Sequence, residues 1–166
     1  MSDDTTPRKI TLTQGKFALV DAADYGWLKQ FNWYADKANV GWYATRNVRT
    51  NGEWGHIRMH REIMGAPPWL EVDHRNLNGL DNRRSNLRLC THAQQMRNKR
   101  SLRGSSRYKG VYWKKDCGRW RAQIGVHGKS IHLGYFQNEI DAALAYNEAA
   151  LDRFGEFALL NEIPAG

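Results

Sequence analysis

Residues 72–98, VDHRNLNGLDNRRSNLRLCTHAQQMRN, leave the chain few ways to fold. A short apolar run from residue 69 ends in Asp73-His74 and gives way to a polar loop over residues 75–84. Asn76, Asn78, Gly79 and Asp81-Asn82 are residue types that turn a backbone. Residues 86–90 read as a second strand, with Leu87 and Leu89 alternating against Arg88. Thr91 and Gln94 stand at capping-box spacing and start a helix that runs to about Lys99. The order is strand, loop, strand and helix.

The flanks have the same grain. Residues 10–20 predict two strands around Gln14-Gly15, and Asp21 is placed to cap a helix over residues 22–30. Residues 33–36, 41–48 and 53–59 alternate like strands, with Asn51-Gly52 as the hairpin turn between the last two. A short helix over residues 60–64 stops at Gly65. This front part is expected to buttress the central stretch. After residues 99–106, a basic polar linker, come three strands at 109–113, 120–126 and 130–135. A helix over residues 139–153 follows, capped by Asn138, alanine-rich so that it can approach a sheet, and stopped by Gly155. The fold class is α+β, divided into a lead at 1–9, a first region at 10–98 and a second at 107–161.

Charge narrows the partner. The chain carries 25 Lys and Arg against 17 acids, and residues 71–110 alone hold ten against three. An excess this concentrated suits a polyanion. No apolar run approaches the ~20 residues of a membrane span, and the polar lead is no signal peptide. Cys90 and Cys117 are too few for a structural zinc site and are expected as reduced thiols in a cytoplasmic protein, Cys90 within the core.

The central stretch also carries chemistry. Phosphodiester hydrolysis needs an activated water, a cation on the phosphate and fixed positioning. His74 is suited to take the proton from water, and Asp73 is a hard oxygen ligand for magnesium or manganese. Adjacent strand residues face opposite ways, a limit that a strand end relaxes. Gln95 and Asn98 lie three apart on one helix face, so either amide oxygen can complete a metal site. Asn86 can hold the loop or orient His74. Asn76, Asn78 and Asn82 are read as turn residues, and His56, His60 and His92 as packing or solvated.

Asp73-His74, Asn86 and the polar helix after it closely resemble the HNH endonucleases, in particular the homing-type enzymes of phages and bacteria, and the likeness extends upstream through MHREIM at 59–64. The resemblance implies a ββα-metal fold, one divalent cation (Mg²⁺ or Mn²⁺), His74 as general base, Asp73 as first metal ligand and Asn86 as the residue tying the motif together. The helix position, usually His or Asn, is Gln95 here, whose extra methylene moves its oxygen by more than ~1 Å, beyond the tolerance of a catalytic site. Either the helix adjusts, Asn98 substitutes, or activity is weakened.

Residues 106–161 resemble the DNA-binding domain of the Apetala and ethylene-response transcription factors through YKGVYW, GRWRAQI, LGYF, EIDAALAYNEAAL and LLN. The resemblance implies three antiparallel strands on one helix, with the sheet entering the major groove of duplex DNA. Alternation selects Lys109, Tyr112, Lys114, Arg119, Arg121, Gln123 and His132 as contacts, and Trp120, Ile124, Phe136, Ala143 and Tyr146 as core. Tyr112 stands where plant members often have Arg, so base preference does not carry over. Arg83, Arg84, Arg88, Arg97 and Arg100 are expected on phosphates. The expectation is a metal-dependent DNA endonuclease that needs no obligatory protein partner. The alternative is a DNA-binding regulator whose HNH part no longer cleaves, and Gln95 is the feature favouring it.

Overall fold

The computed structural model describes residues 6–39, 41–97 and 105–164. The chain divides into two compact units, Met1–Gln95 and Met96–Gly166. Both are built from small antiparallel sheets and short helices, the α+β class expected.

In the first unit β1 (Arg8–Thr11) and β2 (Phe17–Val20) form a hairpin whose turn uses Gln14 and Gly15, both at positive φ. The strand begins inside the segment expected as a lead. Helix α1 (Ala22–Leu28) follows. Asp21 precedes it but makes no side-chain cap; its carboxylate accepts the backbone N–H of Arg84 instead. Strands β3 (Tyr34–Ala38), β4 (Gly41–Thr50) and β5 (Glu53–Arg58) form a sheet in that order, with Asn51-Gly52 at positive φ in the tight turn. Helix α2 (Met59–Met64) ends on Gly65 in the left-handed region, as the Gly there requires. Ile10, Ala18, Val20, Leu28, Trp33, Ala44, Met59, Ile63, Val72 and Leu87 close one core, so the hairpin, the sheet, α2 and the central strands fold as one body.

Strands β6 (Glu71–His74) and β7 (Leu87–Cys90) pair antiparallel, Asp73 opposite Arg88 and His74 opposite Leu87. The expected alternation on β7 is corrected here: Arg88 and Cys90 are buried and Leu89 is exposed, because Arg88 has a partner inside. Asn86 sits in a single 3₁₀ turn before β7 rather than on it. Helix α3 (His92–Arg97) starts with the expected capping box: Gln94 Oε1 accepts the Thr91 N–H at 2.8 Å and Thr91 Oγ1 accepts the Gln94 N–H at 3.3 Å. His92, expected to be packed or solvated, meets Glu71 at 2.6 Å and ties the helix start to β6.

In the second unit β8 (Val111–Lys114), β9 (Arg119–Val126) and β10 (Lys129–Phe136) form a sheet with β9 central. Helix α4 (Glu139–Phe154) packs on it, capped by Asn138, whose Oδ1 accepts the Asp141 N–H at 2.7 Å. Ala142, Ala143 and Ala150 are fully buried, so the helix backbone lies close to the strands. Gly110 shows how close: at φ +78°, a Cβ there would lie 2.1 Å from the Tyr146 ring.

Candidate functional site

The loop between β6 and β7 is held from three directions. Asn78 N–H bonds Asn76 Oδ1 at 2.9 Å and Leu80 N–H bonds Asn78 Oδ1 at 3.1 Å, so both side chains turn the backbone as expected. Asn86 spans the loop: its Nδ2 donates to Asn76 Oδ1 at 3.0 Å and to the Asp81 carbonyl at 2.7 Å, and its Oδ1 accepts the Asn76 N–H at 3.0 Å. The far side is stitched to β2, with Leu19 N–H on the Leu80 carbonyl and Asn82 N–H on the Leu19 carbonyl at 2.8 and 2.7 Å. Of the two roles left open for Asn86, these bonds match tying the loop.

Asp73 and His74 are both buried at the end of β6, in different surroundings. Arg88 places Nε and Nη2 on Asp73 Oδ2 at 2.9 and 2.6 Å. His74 lies among rings: its centroid is 4.9 Å from His60, edge on, and 5.9 Å from Tyr43. Tyr43 in turn carries the Arg58 guanidinium 4.6 Å over its ring. The loop closes on this cluster at Gly79, where a Cβ would fall 2.5 Å from the Trp42 carbonyl and 2.7 Å from the Tyr43 ring. Asn82 Oδ1 lies 3.4 Å from His74 Nε2.

Burial holds the His74 imidazole below its ordinary range, against the opposing pull of Asn82, Asp73 and Asp81. Burial likewise pushes His60 down to about 2, helped by His74, Arg58 and Arg61. Both rings are therefore neutral at pH 7, the form in which an imidazole can accept a proton. Three buried polar atoms here have no hydrogen-bond partner: His60 Nδ1, Asn82 Nδ2 and Thr45 Oγ1, the last two residues from Tyr43 on the same side of β4.

For a divalent cation the donor chemistry fits. The Asp73 carboxylate offers about four acceptor positions, so pairing with Arg88 does not exhaust it as a ligand. Gln95 is half-buried in the middle of α3, and its side chain carries an amide oxygen of the hard donor type. Asn98 lies outside the described residues. Among the described residues no three His, Cys, Asp or Glu side chains cluster as a metal cage.

Three of the five arginines expected on phosphates are engaged by carboxylates. Arg83 forms a two-pronged pair with Asp81 at 2.7 and 2.6 Å, and Arg84 another with Asp24 at 2.7 and 2.8 Å. Asp24 is buried and needs that cation, so Arg84 belongs to the fold. Arg88, buried against Asp73, is corrected outright: a phosphate cannot reach it without breaking the pair. Arg97 closes α3, and Arg100 lies outside the described residues.

On the second unit the register builds an outer face. Tyr112, Arg121 and Tyr135 form a row across all three strands, Lys114 pairs with Arg119, and Gln123 with His132. Six of the seven expected contacts share this face. The seventh, Lys109, precedes β8 and is half-buried, its amine pushed down to about 8 by burial. It lines a shallow hollow of about 390 Å³ with Tyr112, Gln123 and Lys129.

Residues the sequence analysis missed are Tyr43, Arg58, His60 and Asn82 around His74, and Tyr135 on the outer face. Tyr135 escaped because a bulge between His132 and Gly134 shifts the phase of β10. The pattern around His60 carried no local signal, since its ring partners come from β4 and β6.

A family model described as HNH endonuclease matches residues 53–97. An uncharacterized HNH endonuclease of Acanthamoeba polyphaga mimivirus is 31% identical over 156 residues, 90% of this chain and 77% of that protein. APETALA2-like protein 2 of Oryza sativa subsp. indica is 46% identical over 65 residues, and the ethylene-responsive transcription factor WRI1 of Arabidopsis thaliana 43% over 61. The chain covers 15% and 14% of those two plant proteins, so their likeness concerns one part of each.

Proposed function

Because the chain belongs to the HNH endonuclease family, we propose that it hydrolyses phosphodiester bonds of duplex DNA, with His74 as general base and the three-stranded sheet as the DNA-targeting surface. The observation that carries it is the buried His74 at the strand end beside Asp73, under a loop that Asn86 holds at both sides.

His74 takes the proton from the attacking water, which then bonds to phosphorus as the 3′ or 5′ oxygen leaves. Asp73 and Gln95 would hold a magnesium or manganese ion, which when bound would supply charge stabilisation to the phosphate and leaving oxygen. Asp73 is aimed by Arg88. Arg121, Arg119, Lys114 and Gln123 bind the duplex and raise the local concentration of substrate at the first unit.

Two observations favour a second reading, a DNA-binding regulator without cleavage: Gln95 stands at the helix ligand position, and Asp73 is claimed by Arg88. The two readings separate on supercoiled plasmid incubated with the purified chain and magnesium or manganese. Nicking that requires metal and is lost in His74→Ala supports the nuclease. Plasmid retained on the protein but uncut with either metal supports the regulator.

A further inference from the structure

Asn82 was read from the sequence as a turn residue, yet its side chain does not turn the loop. Its backbone N–H is taken by Leu19 of β2 at 2.7 Å, and the residue is fully buried. Its Oδ1 faces His74 Nε2 at 3.4 Å, while its Nδ2 is enclosed with no hydrogen-bond partner. A buried amide with one end unsatisfied is unfavourable, and an apolar side chain of the same size would avoid that cost. What such a side chain would lack is the oxygen toward His74.

We propose that Asn82 is a positioning residue for His74, its Oδ1 accepting the Nε2–H and so holding the imidazole in the tautomer whose basic lone pair is on Nδ1. The inference rests on the reading of His74 as general base. Proton accounting selects the amide oxygen rather than the amide nitrogen as the partner. When Nδ1 accepts a proton from water the ring carries N–H on both nitrogens, so a partner at Nε2 must be an acceptor before and after transfer. An oxygen keeps its bond through the step and strengthens it as the ring becomes positive. An amide N–H donating to Nε2 would occupy the lone pair and be repelled on protonation. The imidazole is further confined by the His60 edge at 4.9 Å and the Tyr43 ring at 5.9 Å. Since Asn82 is anchored on β2, the N-terminal hairpin sets the tautomer of a base that lies over fifty residues away in sequence.

The test reads the tautomer directly, by long-range ¹⁵N–¹H spectra of the imidazoles in the full-length chain, with His74 assigned by its loss in His74→Gln. Wild-type His74 is expected in the Nε2–H form. Asn82→Leu, similar in size and without an acceptor, is expected to lose that preference, and Asn82→Asp, which keeps an oxygen, to retain it. In plasmid nicking, Asn82→Leu should lower kcat by ~10–100-fold, the range for loss of an outer-shell hydrogen bond, with KM unchanged, and Asn82→Asp should recover most of it. A wild-type His74 in the Nδ1–H form overturns the proposal without recourse to any Asn82 variant, so misfolding of Asn82→Leu leaves it testable. An unchanged tautomer in Asn82→Leu, or nicking by it at the wild-type rate, also overturns it. If the wild-type chain does not nick at all, the nuclease reading fails, while the tautomer still decides the Asn82–His74 bond.

Discussion

Arg88 places two hydrogen bonds on one oxygen of Asp73, and both residues are more than nine-tenths buried. A buried carboxylate stripped of its cation is strongly unfavourable. Arg88→Met should therefore destabilise the first unit by about 3–5 kcal/mol, measured by chemical denaturation of the full chain. The slope of log DNA affinity against log salt should not change, because no phosphate contact is lost. A slope reduced by about one would mean that Arg88 does reach a phosphate.

Arg121 lies at the centre of the outer face, between Tyr112 and Tyr135 on the neighbouring strands. Arg121→Ala should weaken binding to a duplex recovered by selection from random sequence by about 1–3 kcal/mol, with the melting temperature close to wild type. Equal affinity in a direct titration would move the DNA interface off this face.

His60 is neutral in the fold, its imidazole pushed down to about 2 from an ordinary 6.5. In the unfolded chain it takes up a proton below that ordinary value, so the unfolded state binds more protons and stability falls as pH drops. The loss begins near 6.5 and continues toward 2, at up to ~1.4 kcal/mol per pH unit for one group. His60→Phe keeps a ring against Tyr43 and His74 and removes this term. Denaturation midpoints at pH 7.5, 6 and 5 should converge on a shallower acid slope in the variant; parallel slopes would place His60 in contact with solvent.

Cys90 is buried, with its thiol pushed up to about 11 by burial and by Asp73 and Glu71. At pH 8 only ~0.1% of it is thiolate. Cys117 is exposed. Iodoacetamide at that pH should label Cys117 alone in the native chain and both cysteines after unfolding, read by peptide mass. Rapid native labelling of Cys90 would show that β7 opens locally.

Much of the architecture was legible because its determinants are local. The Thr91–Gln94 box, the Asn138 cap, the Asn51-Gly52 turn and the alternation of β8 and β9 each lie within a few residues, and each formed as expected. The adjacency of Asp73 and His74 needs no fold at all. Asp21 shows the limit of such reading: it has the chemistry of a cap, but a backbone N–H from residue 84 competes for its carboxylate.

By itself the sequence determined the order of elements, the identity of the acid and the imidazole, and the basic balance that suits DNA. The tertiary structure decided what those groups face. Arg84 meets Asp24 across sixty residues, Arg88 turns inward to Asp73, and Asn82 reaches His74. None of these follows from periodicity: the β6–β7 register sets Arg88 opposite Asp73, and the other two depend on where the loop lands once β2 has captured its far end. Desolvation then acts on the result: a charge closed off from water must find its counter-ion inside, however far away in the chain that partner lies.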